Sequence, residues 1–81
     1  SATIAAELAA HAASGDLIAD IHNVRVRRTD AGLVVNYHCR VDPTLTVIRV
    51  HDAVDDVDRK LKAARNDICR VVGHAEPMRA A

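Results

Sequence analysis

The chain contains no phenylalanine and no tryptophan, and its one aromatic residue is Tyr37. The core must therefore be built from Val, Ile, Leu and Ala, side chains that suit strands packed under helices. With 81 residues and no large aromatic anchors, one copy buries a thin core, and extra burial is expected from a partner subunit. Cysteine is scarce too. Cys39 and Cys69 are far apart and fit no C-x-x-C pattern, which excludes a disulfide scaffold and makes a reducing compartment the simpler expectation. Both read as small buried hydrophobes rather than ligands.

Charge of one sign is also missing. Eleven basic and eleven acidic residues cancel, so no overall field draws nucleic acid or an acidic surface. The Arg25, Arg27, Arg28 cluster is local and diluted by nearby acids, and there is no aromatic platform for stacking bases. Nucleic acid is not an expected partner. No apolar run approaches a membrane span and no signal peptide is present, so residues 1–81 read as one soluble domain. The start at Ser1 rather than Met is what a domain excised from a longer protein would show. With no nucleophile–base pair, no Gly-rich phosphate loop and no HExxH, the chain is not expected to be an enzyme.

What is present is strong patterning. Thr3 to Ala13 is mostly alanine and predicts a helix, with Ile4 and Leu8 as its apolar stripe and Gly15 as its cap. Ile18 to Thr29 predicts a strand, Val24 and Val26 alternating with Asn23, Arg25 and Arg27. Thr29 to Gly32 is a turn, and Leu33 to Val41 a second strand, antiparallel to the first. Its two faces are Leu33, Val35, Tyr37, Cys39, Val41 and Val34, Asn36, His38, Arg40. Asp42-Pro43 breaks the sheet, Thr44 or Thr46 caps, and a helix follows from about Val47 to Arg65. Its stripe is Val47, Val50, Val54, Val57, Leu61 and Ala64. The acids Asp52, Asp55, Asp56 and Asp58 read as a solvated face. A third strand, Ile68 to Glu76, ends at Pro77, and Gly73 inside it predicts a close neighbour. The order predicts an α+β, ferredoxin-like open-faced sandwich, α-β-β-α-β, with a split βαβ crossover and two helices on a three-stranded sheet.

Histidine is plentiful for such a small chain. His74 and Glu76 are two apart on a strand and project to one face. His38 comes from the more polar face of the second strand, His51 from the start of the long helix, and His22 from the head of the first strand. Imidazoles with a carboxylate suit Zn²⁺, with Co²⁺, Ni²⁺ and Cd²⁺ as competitors. The spacing matches no zinc-finger pattern, so structural histidines and metal ligands both remain open on spacing alone; the histidine count favours metal. His11, inside the first helix, reads as a boundary residue.

Three runs carry a resemblance: I-H-N-V-R-V-R at 21–27, H-C-R-V-D-P-T-L-T-V-I-R-V-H-D at 38–52 and V-V-G-H-A-E-P at 71–77. Together they resemble the cytoplasmic C-terminal domain of cation diffusion facilitator transporters, the cation efflux family, from about Ile4 to Pro77. The resemblance implies a homodimeric domain on the cytoplasmic side of the inner membrane, attached to a transmembrane domain that this chain lacks. It further implies binding of divalent metal ions, commonly zinc, with Fe²⁺ and Mn²⁺ among the family's alternatives, in a way that closes the dimer and favours transport. The implied ligands are His22, His38, His51, His74 and Glu76, with Glu76 able to bridge two ions. Asn23 departs from the pattern, standing where many members have Asp. The other readings are a metal-independent dimerisation module and a free-standing soluble metal-binding protein.

Overall fold

A computed structural model describes residues 2–79. The elements run α1 (Ala2–Ser14), β1 (Ala19–Thr29), β2 (Gly32–Val41), α2 (Val47–Ala64) and β3 (Ile68–Pro77). This is the expected open-faced sandwich. β2 lies in the middle, antiparallel to β1 and parallel to β3. One expectation needs correcting: the crossover is not split. The two-residue turn pins β1 to one flank of β2, and among the described residues no other strand is available to separate β2 from β3, so β3 pairs with β2 directly.

The hairpin closes at Gly32, whose φ of +130° favours glycine. Thr29 supports the turn by donating its hydroxyl to the Gly32 carbonyl at 2.7 Å and accepting the Ala31 N–H at 3.2 Å. The Leu33 N–H reaches the Asp67 carbonyl at 2.8 Å, which fixes the head of β3 beside the hairpin.

The core lies between the sheet and the helices. From β2 it takes Val35, Tyr37, Cys39 and Val41, from α1 Ile4, Leu8 and Ala12, and from α2 Val54, Val57 and Leu61. Period-two alternation then turns Asn36, His38 and Arg40 to the opposite face, which no helix among the described residues covers. Val34 is buried as well, outside that core cluster.

Asp42 and Thr46 set up α2. The Asp42 carboxylate accepts the Thr44 N–H at 2.8 Å and its hydroxyl at 2.7 Å, which holds it below the usual carboxylate range. Thr46, not Thr44, is the N-cap, accepting the Arg49 N–H at 3.3 Å. The apolar stripe is fully buried only at Val54, Val57 and Leu61. Val47 is 86% exposed and Ile48 70%, so the first turn of α2 leaves an apolar patch uncovered. The acids also divide. Asp56 pairs with Arg59 at 2.8 Å and Lys60 at 2.9 Å as a solvated face should. Asp58 instead turns inward and accepts the Tyr37 hydroxyl at 2.7 Å.

Candidate metal centre

The site begins with two irregularities in β1. Its pairing with β2 shifts register between Ala19 and His22 and again between His22 and Arg25. Asp20 and Asn23 take left-handed φ values of 54° and 50°, a conformation that Asp and Asn tolerate better than other side chains. These bulges bracket His22 and aim its ring, as bulges do. His22 pairs with His38 across β1 and β2, and His38 pairs with His74 across β2 and β3. Three histidines therefore stand in a row across the open face, with Glu76 two residues beyond His74.

Glu76 draws the row together. His22 Nε2 lies 3.0 Å from Glu76 Oε1, and His38 Nδ1 lies 3.1 Å from Glu76 Oε2. Arg40 Nη2 approaches Glu76 Oε1 at 4.0 Å, while its Nε donates to Asp20 Oδ2 at 2.7 Å. Burial pushes the Glu76 carboxyl up, but the hydrogen bonds and charge of His38 and His22 outweigh it and hold the group below its ordinary value. His22, His38 and Glu76 can each offer a ligand atom, all within 4.8 Å of one another. Each side chain is about one-third exposed, at 32%, 31% and 32%, so an ion could enter.

The hydrogen bonds fix which nitrogen does what. His22 Nδ1 lies 2.7 Å from the Asp20 carbonyl oxygen, which only accepts, so Nδ1 carries a proton. Nε2 then either donates to Glu76 from a doubly protonated ring or offers its lone pair to a cation. His38 faces Glu76 through Nδ1 and Asn23 through Nε2, the latter 3.5 Å from Asn23 Nδ2. A backbone carbonyl or side chain that settles the tautomer of a histidine is the usual support for a metal ligand. Two imidazoles and a carboxylate form a borderline donor set suited to late divalent metals.

His74 belongs to the row, its ring 5.0 Å from that of His38 and tilted by 57°, but it is more exposed and lies outside the tightest three. His51 is not brought to them. It is exposed on α2, and α2 covers the opposite face of the sheet, where Val54 and Asp58 meet Tyr37 and Gly73. Cys39 is buried under the helices, where burial foremost, then Asp58 and Glu76, push its thiol up to about 11. That places its side chain on the face opposite the histidine row. Cys69 is only partly buried, 4.0 Å from the Thr29 hydroxyl. Asp20, Asn23 and Arg40 are the supports that periodicity does not reveal. The one available signal was the placement of Asp and Asn, the two left-handed formers, on either side of Ile21-His22.

The family model for the cytoplasmic domain of cation efflux proteins matches residues 2–78. No curated protein matches the chain. Among solved structures, the metal-bound C-terminal domain of the CzcD transporter from Thermotoga maritima superposes with a TM-score of 0.84 at 22% identity, covering 94% of this chain and 88% of that one. The cytosolic domain of a cation diffusion facilitator family protein gives 0.84 at 22% identity, over 95% of this chain and 92% of that one. The nickel form of a variant MamM C-terminal domain gives 0.81 at 15% identity, over 98% and 100%. At these identities the likeness speaks to the fold.

Proposed function

Because the chain belongs to the family of cation efflux protein cytoplasmic domains, we propose that it is the metal-responsive dimerisation domain of a divalent-cation efflux transporter. Its place is the cytoplasmic side of the inner membrane, attached to a membrane domain outside these residues. The observation that carries this reading is a single carboxylate, Glu76, shared by His22 and His38 on the sheet face opposite the two helices. His74 adjoins them as a further ligand. Zinc suits the donor set, with Co²⁺, Ni²⁺, Cd²⁺, Fe²⁺ and Mn²⁺ as competitors.

His51 supports a two-copy site. Val47, Ile48 and His51 are three and four residues apart and share one face of the first turn of α2. That patch is apolar and exposed, and the polar row of ligands lies part-exposed on the other side of the sheet. A second copy laying its α2 patch against the open face would cover Val47 and Ile48 and supply the missing imidazole. A bound ion then stabilises only the closed arrangement. If closing tightens binding about a hundredfold, the equilibrium moves by about 2.7 kcal/mol, enough to turn a minor state into the major one.

One observation favours the rival, a metal-independent dimerisation module: His22, His38 and Arg40 already satisfy Glu76 without an ion. Zinc titration by calorimetry, with solution scattering on the same samples, separates the two. The metal-responsive reading expects binding at micromolar zinc with a more compact dimer, both lost in His38→Ala and Glu76→Gln. A stable dimer whose shape and heat are indifferent to zinc would leave the module.

A further inference from the structure

The two nitrogens of His38 have opposite requirements. Nδ1 faces Glu76 Oε2 at 3.1 Å and Nε2 faces the Asn23 amide at 3.5 Å. Which end of that amide is turned to His38 follows from Arg25. Arg25 Nε can only donate, and it lies 3.3 Å from Asn23 Oδ1. The oxygen of Asn23 is therefore committed to Arg25, and its NH₂ group is the end that meets His38. A donor at Nε2 selects the neutral ring with its proton on Nδ1. That form hydrogen-bonds Glu76, and it cannot give Nδ1 to a cation.

An ion held between Glu76 and His38 takes the nitrogen that faces Glu76, which is Nδ1. The ring must then carry its proton on Nε2, where the present Asn23 orientation would set one donor against another. Turning the amide over relieves this: Oδ1 accepts from Nε2–H, and the NH₂ group now faces the Arg25 guanidinium, which must move away. We propose that Asn23 is a positioning residue of the centre, selecting the metal-free tautomer of His38 and turning over when an ion binds, so that occupancy is passed to Arg25. This rests on the metal reading of His22, His38 and Glu76. The left-handed backbone at Asn23, φ 50°, holds the amide at the bulge beside the row. It also explains what an amide does there that a carboxylate cannot. Both oxygens of a carboxylate accept, so Asp at this position would favour the metal-ready tautomer permanently, and Asn makes it switchable.

The test is nitrogen-15 NMR of the His38 ring, the Asn23 NH₂ and the Arg25 Nε–H in this 81-residue chain, with zinc chloride as the probe, alongside calorimetry. Without metal, the wild type is expected to carry its His38 proton on Nδ1, and Asn23→Asp on Nε2. Zinc should shift the Asn23 and Arg25 signals of the wild type, and Asn23→Asp should bind zinc about tenfold more tightly, the size of effect that metal-ligand supports produce. Asn23→Gly keeps the left-handed backbone without an amide and serves if the Asp variant folds poorly; its ring should lose the Nδ1–H preference. A His38 tautomer unchanged in both variants overturns the inference, as does zinc binding that leaves the Asn23 and Arg25 signals in place. If the wild type binds no zinc, the metal reading fails instead, and the metal-free tautomers still decide whether Asn23 sets the ring.

Discussion

Replacing Gly73 by alanine should damage this fold badly. Gly73 is the register partner of Tyr37 in the parallel β2–β3 pair. A Cβ there would sit 2.5 Å from Tyr37 Cζ and 2.7 Å from Val54 Cγ1, and closer still to the Tyr37 hydroxyl. The ring cannot retreat, because Tyr37 is fully buried and its hydroxyl is held by Asp58 on α2. Either β3 moves away from α2 or the Tyr37–Asp58 bond breaks. Overpacking of this kind costs about 1–3 kcal/mol, and a lost hydrogen bond to a charged group about 1.5–3 kcal/mol. A domain of this size has a total stability on the order of 4–12 kcal/mol, so Gly73→Ala should remove a large share of it. Urea unfolding followed by circular dichroism reads this directly: with a slope of about 1–1.5 kcal/mol/M, the midpoint should fall by roughly 1–3 M. Tyr37→Phe removes the hydroxyl that lies closest, so the double variant should recover part of the loss, a coupling expected of residues in contact. An unchanged midpoint for Gly73→Ala, or a double variant whose losses simply add, would refute the packing argument. Because His74 and Glu76 follow Gly73 on the same strand, zinc affinity of the folded fraction should drop with it.

The remaining predictions concern charge and assembly. Burial raises the Asp58 carboxyl above its usual 3.8, although the Tyr37 hydrogen bond works against the rise. A raised native value means that the charged form costs stability, a cost absent below 3.8 and complete above the native value. Asp58→Asn keeps an acceptor for Tyr37, so it should melt at or above the wild-type temperature at neutral pH, with the advantage vanishing in acid; a larger loss at neutral pH than in acid would contradict this. Glu76 has the opposite sign. Its native value lies below the ordinary 4.5, so its contribution is present above 4.5 and disappears as the pH falls through the native value. Melting curves across that acid range should be flatter for Glu76→Gln than for the wild type, and zinc binding by calorimetry should be at least about tenfold weaker. His51→Ala should still bind zinc through His22, His38 and Glu76 but lose the compaction seen by scattering, whereas full compaction in that variant would remove His51 from the site.

Much of this protein was legible in order. Alternation from Leu33 to Val41 placed Tyr37 and Cys39 inside and His38 outside, and the two-residue spacing of His74 and Glu76 put both on one face, because side-chain direction in a strand follows from local geometry alone. Gly73 announced a close neighbour, and the three-and-four repeat of α2 announced its buried side. Periodicity failed where the chain leaves the regular pattern. Asp20 and Asn23 interrupt the period-two reading of β1, and the direction of His22 depends on those two left-handed residues and on pairing with β2. Asp58 looks like its acidic neighbours in sequence and differs only because Tyr37 lies beneath it. Val47 continues the apolar stripe of α2 yet stands in solvent, because helical periodicity assigns a face but not what covers it.

The sequence by itself determined the kinds of element, their order, the donor types and the shared face of His74 and Glu76. These rest on backbone sterics, propensity and side-chain period, which act between near neighbours in the chain. Only the tertiary structure decided that Glu76 is shared by His22 and His38, that Asn23 meets His38 and Arg40 approaches Glu76, and that His51 lies across the sheet from the rest. Those outcomes depend on strand register and helix placement, set by packing between segments whose distance in the sequence carries no record of their distance in space.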